Sequence, residues 1–566
     1  MPLPLELHGR PEERVLRQLI AALLFEGIVP HEIAASGQTL WSLGAVEFRC
    51  SATRGAFGRV RIVPGSIEMT HDGQWCEATL AAVVPHLPGN ARNRARLLNE
   101  MEQTVTLSRW NAANLDRRCR RSSAYASLEA LLDEGHPYHP CYKARTGFSE
   151  ADHASYGPEA GRRFQLIWLA VSRSLLEQRL PCGEDEFWQH ELGTDVYDEL
   201  SGRRDAPGLG EDFALLPVHP WQWRTLSQDR LKNWITEGLV HCLGTAGPFY
   251  TASQSVRTLL DAEEPRRAHL KLPLAMVNTS AERILEPHSV CTAPIISAWI
   301  DSVVRSDSLF ATRYPLTILR EYAGMIAGRS TELSGHLGAI WRESPEASLG
   351  AGEAAIPFNA LMMIEADGAP FIDPFVRRYG LDAWMDRLLD IAVLPVWHLL
   401  VAHGIAVEAH GQNMVLVHKD GWPVRIMLRD FHESIEFSTD FLADRQNAPD
   451  FAQLDAVYRD ARPGDFYSTD SLDSLRELVM DTLFIYNLTE VSHLLEEHYG
   501  YSETAFWQKT TACLAAYAKR HDLGERQAAL GHSAPSILTE SLMTRKLLAA
   551  QPEYHHLIPN IFAVTG

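Results

Sequence analysis

The sequence predicts an α+β protein in three parts: a mixed N-terminal part, a strand-rich middle and a mainly helical C-terminal part. Three observations lead there. At 566 residues the chain exceeds what a single hydrophobic core organises, so several subdomains are expected. Short apolar runs punctuated by turn residues dominate from Ala214 to Glu321. After Ile372-Asp373-Pro374 the pattern becomes long and helical, interrupted by one hairpin. The boundaries read as 1–147, 148–373 and 374–566.

Taken in order, Glu13 to Glu26 carries Val15, Leu16, Leu19, Ile20, Leu23 and Leu24 on one face, an amphipathic helix. Gln38 to Ile67 is strand-like and rich in turns, and Asn93 to Leu107 is helical. His136-Pro137-Tyr138-His139-Pro140 is extended, because each proline biases the preceding histidine away from helix. Arg162 to Leu176 is apolar and is assigned to a helix. Pro217 to Trp223, with Trp221 and Trp223 beside prolines, reads as a packed corner. Ile391 to Val407 is a run of seventeen uncharged residues, short for a membrane span and broken by Pro395 and Gly404. It reads as a buried helix feeding a strand.

That run stops at Glu408-Ala409-His410-Gly411-Gln412-Asn413. Met414 to His418 and Pro423 to Leu428 follow as strands, and Lys419-Asp420-Gly421 carries the Asp-Gly hairpin signal. Pairing about that turn folds Asp430 back beside Gly411 to Asn413. In an extended segment, Glu408, His410 and Gln412 share a face. Asn413 and Asp430 as oxygen donors at a strand mouth suit Mg²⁺ beside a phosphate. The alternative is a satisfied polar network at a hairpin base.

The formal net charge of −20 disfavours nucleic acid and anionic membranes as partners. An acidic chain that binds an anion must cluster its cations locally. The eight cysteines are scattered without a CxxC pair, so neither a zinc ribbon nor a disulfide framework is indicated. Met1 to His8 lacks a basic region and an apolar core, so it is not a signal peptide, and the expected compartment is the cytoplasm. There is no GxxxxGK[ST] loop, GxGxxG, HExxH or GxSxG.

Three cationic clusters remain. Ser253-Gln254-Ser255-Val256-Arg257-Thr258 surrounds one arginine with hydroxyls, a phosphate-gripping loop or an ordinary exposed one. Lys271 and Arg283 flank a strand-like segment through Val277-Asn278-Thr279-Ser280. Gly135 to Lys143 offers two histidines and a lysine, better suited to an anion than to zinc.

Together these segments resemble the siderophore synthetases that act without a nonribosomal peptide synthetase, the aerobactin-synthetase type. The resemblance runs from about Gly135 to the last helix. Its carriers are His136 to Lys143, His219-Pro220-Trp221-Gln222, Ser255 to Thr258, Lys271 to Arg283, Glu408 to Asn413 and Arg429-Asp430. Each motif is weak alone; their order and spacing are specific. It implies a cupped hand of thumb, fingers and palm that adenylates a carboxylic acid with ATP and Mg²⁺, then joins the acyl group to an amine or alcohol. It implies a homodimer as well. Ser255, Arg257 and Thr258 would hold the ATP phosphates, with Lys271 and His410 at the α-phosphate side and Gln412 also binding the nucleotide. Asn413 and Asp430 would carry Mg²⁺, with Glu408 nearby. His139, Thr279, Arg283, Gln412 and Lys546 would face the substrate, with Lys143 as an addition. The family often places a glycine shortly after the Arg-Asp pair, whereas Phe431-His432-Glu433-Ser434 follows here.

Several cations around one site suit a di- or tricarboxylate of the citrate or 2-oxoglutarate class. Two other readings stay open. A phosphotransferase would use Asp430-Phe431, though Gly411 and Gln412 stand where a kinase loop has its aspartate. A non-catalytic binder of citrate or an iron chelate would need the cations alone.

Overall fold

The computed structural model describes residues 10–116, 119–551 and 553–564, and they form an α+β arrangement. Met1 to His8, read above as carrying no signal segment, lies outside the described residues. The first helix, Pro11–Phe25, has proline in its first turn beside Glu12 and Glu13, where negative charge favours the helix N-terminus. It buries Val15, Leu16, Leu19, Ile20, Leu23 and Leu24. Gln38–Leu43 then pairs antiparallel with Val46–Arg54, and the register stacks Trp41 on Phe48 with ring centroids 5.6 Å apart. The helix predicted around residues 93–107 runs over Ala91–Asn114, capped by the Asn90 side chain.

An eight-stranded antiparallel sheet fills the middle of the chain. Its order is Leu176–Arg179, Glu321–Ala327, Leu337–Arg342, His269–Lys271, Thr258–Asp261, Val240–Ala252, Phe164–Ser172 and Phe213–Val218. The helix expected over Arg162 to Leu176 is therefore wrong: Phe164–Ser172 is a strand. It lies between two others, and the residues around Trp168 in the run, Leu166, Leu169, Ala170 and Val171, are all fully buried. A strand covered on both faces loses the alternation that would mark it. The 20-residue helix Pro287–Ser306, in a stretch read as strands and turns, packs against this sheet. Its backbone comes so close that a Cβ at Gly324 would lie 2.1 Å from the Val290 carbonyl oxygen.

A smaller sheet has the order Leu316–Ile318, Trp422–Leu428, Met414–Lys419 and Ala354–Pro357. The hairpin forms as predicted, with Met414 opposite Leu428 and a turn at Asp420 (φ 51°) and Gly421 (φ 90°). The uncharged run is a buried helical segment feeding a strand, also as predicted. It comprises the end of Leu381–Ala392, then Leu394–His398, a π-turn over Leu399–His403, left-handed Gly404 and strand Ile405–Val407.

The largest apolar cluster includes Val15, Leu19 and Phe48 together with Trp384, Phe484 and Trp507, so the N-terminal part and the C-terminal helices share one core. The half-buried Glu490 carboxylate fastens them further, pairing with Arg59 at 2.9 Å and Arg61 at 2.7 Å. A second cluster, with Trp168, Trp188, Leu270 and Trp341, lies on the eight-stranded sheet. Among the described residues no helix is long and apolar enough to cross a membrane.

Candidate active site

The serine–arginine loop sits where a strand of the large sheet turns. Ser253 donates its backbone N–H to the Thr258 carbonyl, Val256 donates to Ser253, and Thr258 donates to Ser255 Oγ at 3.0 Å. Val256 takes a left-handed φ of 68°, an unfavourable conformation for a β-branched residue. Packing holds it there: Val256 is fully buried against Phe148, Trp221, Leu274 and Met276. The predicted tryptophan corner is thus the floor of the loop. Nine non-glycine residues among those described have positive φ; two of them, Thr279 and Asp430, are predicted site residues, and a third, Val256, lies inside the predicted Ser255–Thr258 loop. Such concentration points to function.

Cross-strand register does the next step. Thr258 lies opposite Lys271, and His269, two residues along the same strand, lies opposite Arg342. One face of the sheet therefore presents Thr258, Lys271, His269 and Arg342 together. Asp430 reaches this face from the end of the hairpin, its Oδ1 accepting from Lys271 Nζ at 3.1 Å and Arg342 Nη1 at 2.7 Å. Burial alone would raise the Asp430 pKa, but Arg342 and Lys271 hold it well below the ordinary carboxylate range. Burial pushes Lys271 and Arg257 down from their ordinary values. Glu321 completes the group, accepting from His432 Nδ1 at 2.8 Å and from the backbone N–H groups of Phe431 and His432.

The turn after Val407 is not extended. Asn413 N–H donates to the His410 carbonyl, and His410 Nδ1 accepts the backbone N–H groups of Gln412 and Asn413. The shared face predicted for Glu408, His410 and Gln412 is therefore replaced by a tight turn, folded by the histidine that it presents. His410 Nε2 is left 3.6 Å from Glu408 Oε1. Arg429 braces the turn, donating to the Gln412 carbonyl through Nε and Nη2 and to Tyr125 Oη through Nη1.

A third group closes around the histidine-proline loop. His139 is fully buried, with Nδ1 accepting from Cys141 N–H, while its Nε2 is buried without a partner among the described residues. Arg283 donates Nη2 to the Asn278 carbonyl at 2.5 Å, and its Nε is likewise buried and unpartnered. Lys546 donates to the Thr279 carbonyl at 2.6 Å and pairs with Glu100. Burial, then Lys546 and His136, lower the His139 pKa well below the ordinary value. Burial and the neighbouring Arg257 push Arg283 down to about 9, with Glu408 opposing them. Burial, with His410 the next cause, brings His136 to about 3. These mutual influences tie the histidine-proline loop, Arg283, Arg257 and the His410 turn into one electropositive site.

The structure thus gathers the predicted residues into two adjoining groups: Ser255, Arg257, Thr258, Lys271 and Asp430, and His139, Thr279, Arg283 and Lys546. The turn bearing Glu408, His410, Gln412 and Asn413 borders both. Asn413 turns its amide nitrogen to the Glu408 carbonyl at 3.1 Å, and its own carbonyl accepts from Arg429 N–H. Lys143 does not join them, being buried between Asp133 and Glu159. Glu321, Arg342, His269 and His432 were missed. The available signal was a charge inside an apolar strand, as in Leu337 to Arg342. A cavity of about 690 Å³ lies elsewhere, across the helix Tyr125–Leu131, and none of the predicted residues lines it.

Oxygen donors suited to Mg²⁺ are present. Both cationic partners of Asp430 engage Oδ1, and no hydrogen bond among the described residues engages Oδ2. With Glu408 and Asn413 near the same hairpin base, the donor set fits a hard, oxygen-seeking ion.

Comparison with known proteins identifies the family. Residues 124–363 match the model of the IucA/IucC family, and residues 382–554 match a model described as ferric iron reductase FhuF-like transporter. The chain is 35% identical to a citryl-spermidine/3,4-dihydroxybenzoyl-citryl-spermidine:spermidine ligase of Bacillus anthracis, covering 97% of this chain and 92% of the relative. It is 30% identical to a 2-[(L-alanin-3-ylcarbamoyl)methyl]-3-(2-aminoethylcarbamoyl)-2-hydroxypropanoate synthase of Staphylococcus aureus, over 99% of this chain and 94% of that one. Among solved structures, the petrobactin biosynthesis protein AsbB from Bacillus anthracis superposes with a TM-score of 0.92 at 33% identity, covering 98% of this chain and 95% of that one. On this extent and likeness, the chain belongs to the IucA/IucC family of siderophore synthetases.

Proposed function

We propose that this protein is an ATP-dependent ligase of siderophore assembly that adenylates a citrate-class carboxylate and transfers the acyl group to an amine. The observation that carries this reading is the pair of unpartnered, buried nitrogens, His139 Nε2 and Arg283 Nε, beside Lys546 and next to the Ser255–Arg257–Thr258 loop. Buried donors and acceptors left unmade are costly, so they mark where a polar ligand belongs. Both curated relatives above have citryl or hydroxypropanoate amides in their names. That favours citrate, or a citryl amide already carrying one amine, over 2-oxoglutarate.

The chemistry follows from the residues. A carboxylate is ionised at neutral pH, so attack on the α-phosphorus of ATP needs no general base. It needs two anions held together while pyrophosphate leaves. Arg257 and the Ser255 and Thr258 hydroxyls bind phosphate oxygens, and Lys271, released from Asp430, neutralises charge at the α-phosphate with His410. Asp430, with Asn413 and Glu408, would hold Mg²⁺, which when bound would further neutralise the phosphate charge. Arg283, His139 and Lys546 fix the acid, with Thr279 and Gln412 at its edge. The amine then attacks the acyl carbonyl, AMP departs, and Glu408 or His410 takes the proton released.

The cupped hand belongs to the same proposal, with thumb 1–147, fingers 148–373 and palm 374–566. The eight-stranded sheet falls wholly inside the fingers, while Leu316–Ile318 and Ala354–Pro357 cross to pair with the palm hairpin. A cytoplasmic homodimer is proposed with it. The deciding experiment is ATP–pyrophosphate exchange against a panel of acids. Citrate or a citryl amide should support exchange and yield AMP. Acid-dependent ADP without AMP would overturn adenylation in favour of phosphoryl transfer.

A further inference from the structure

A second cluster lies at the opposite end of strand Ile405–Val407 from Glu408. His398 Nε2 and His403 Nε2 converge on a single oxygen, Asp307 Oδ2, at 2.9 Å and 3.0 Å. The two rings are perpendicular, with centroids 5.4 Å apart. We propose that Asp307, His398 and His403 form a binding site for one divalent first-row transition metal, with zinc as the best fit.

The local fold is built to bring these atoms together. The histidines are five residues apart, and the π-turn Leu399–His403 closes with the wider i→i+5 spacing that places them on the same side. Gly404 then leaves the turn at φ 79°, and a Cβ there would meet the Phe441 carbonyl oxygen at 2.4 Å. Asp307 is aimed by its second oxygen, Oδ1, which accepts from Leu309 N–H at 2.8 Å and caps the helix Ser308–Thr312.

The surroundings match a metal centre. His398 Nδ1 lies 2.7 Å from Tyr517 Oη, the outer hydrogen bond that fixes the orientation of a metal-binding imidazole. Phe310 covers both rings, at 4.9 Å from His398 and 5.7 Å from His403. Two imidazoles and one carboxylate are the ligand set of many zinc sites, whose ligand atoms stand about 3.3 Å apart around bonds of about 2.0–2.1 Å. Each histidine nitrogen stands within a few tenths of an ångström of that spacing from Asp307 Oδ2, and all three atoms lie within 4.8 Å of one another. Asp307 and His403 are partly exposed, which gives an ion and a fourth, water ligand access. Binding requires no net proton loss from neutral histidines: the proton on each Nε2 is replaced by one on Nδ1, which for His398 then donates to Tyr517. With two nitrogen ligands and only one carboxylate, hard ions such as Mg²⁺ and Ca²⁺ are disfavoured.

The test is Co²⁺ titration of chelator-treated full-length protein with Mg²⁺ in excess, followed by zinc-dependent thermal shift. The wild type should develop the visible absorption of cobalt bound to nitrogen and oxygen ligands, saturating at one equivalent, and zinc should raise its Tm. His403→Ala and Asp307→Asn should abolish both signals, whereas Asp430→Asn should keep them. Tyr517→Phe, which leaves all three ligands in place, should weaken metal affinity about 10–100-fold. Absence of the band and of the Tm shift in wild type would overturn the site. So would a signal that survives in a folded His403→Ala protein or disappears in Asp430→Asn.

Discussion

His432 Nε2 stands 3.3 Å from Lys271 Nζ, and this contact sets the tautomer of the histidine. An ammonium only donates, so Nε2 accepts, and the proton of the ring sits on Nδ1, where Glu321 receives it at 2.8 Å. Glu321 thereby holds Lys271 in place through a neutral imidazole. The Phe431-His432-Glu433-Ser434 segment, which departs from the family's usual glycine, supplies this support. Ser434 Oγ also donates to Glu408 Oε2 at 2.5 Å.

Replacing His432 should therefore reach the chemistry through Lys271. His432→Ala removes one of the two contacts that orient the ammonium, so kcat for ATP–pyrophosphate exchange should fall about 10–100-fold, the worth of a charge-assisted hydrogen bond of about 1.5–3 kcal/mol. The KM for the acid should change little. An acid KM that rises as much as kcat falls would assign His432 to the substrate pocket instead.

Asp430 pairs with Lys271 and Arg342, and in the proposed function it would also offer an oxygen to Mg²⁺. Asp430→Asn keeps the shape and removes the charge. Turnover should collapse at low Mg²⁺ and recover in part as the ion is raised, with an unchanged circular dichroism spectrum. A Mg²⁺ profile identical to wild type would remove Asp430 from the metal site.

The parts of the site legible in the sequence were those with strong local grammar. Asp420-Gly421 announced its turn, and the turn implied where Asp430 would land. The prolines after His136 and His139 announced a break from helix, but the extended loop expected there is instead a bend, with His136 Nδ1 accepting the N–H groups of Tyr138 and His139. Arg342 and Glu321 carried no such mark, because their partners come from strands and turns far away in sequence. Phe164 to Ser172 failed for a related reason: burial on both faces erased its alternation. Pro287–Ser306 was hidden by an internal proline, Pro294, and by its β-branched residues, which weaken a helical signature. The tight His410 turn could not be read as such because a side-chain nitrogen, rather than glycine or proline, organises it.

Stability should fall on mild acidification through His219. It is fully buried, its Nδ1 accepts Trp221 N–H, and Tyr156 and Phe164 enclose the ring. Burial lowers its pKa from 6.5 to about 3. The unfolded chain therefore binds a proton that the folded one refuses between those values. The contribution is complete above pH 6.5 and is lost progressively as pH drops below it, with a slope approaching about 1.4 kcal/mol per pH unit. His219→Asn can still cap the helix Pro220–Ser227 but cannot titrate. Urea midpoints at pH 7.5 and 5.5 should draw closer together in this variant. An identical pH dependence would show that His219 is not the titrating group.

Arg283 offers the sharpest separation between the two halves of the site. Its Nη2 is anchored on the Asn278 carbonyl, its Nε is buried and unpartnered, and Lys546 and His139 stand on the same side. Such a guanidinium is positioned to present a planar fork to a carboxylate. Arg283→Lys keeps the charge but loses the fork, so the KM for citrate or a citryl amide should rise about tenfold or more, in line with about 1.5–3 kcal/mol for a charge-assisted contact. Arg283→Ala should raise it further, since the removed charge leaves a buried carboxylate unpaired. The KM for ATP should stay nearly constant in both, because the proposed function gives the phosphates to Ser255, Arg257 and Thr258. Initial-rate kinetics with each substrate varied in turn measure both values. Equal losses in acid and ATP affinity would mean that Arg283 supports the fold of the Asn278–Arg283 hairpin rather than the acid.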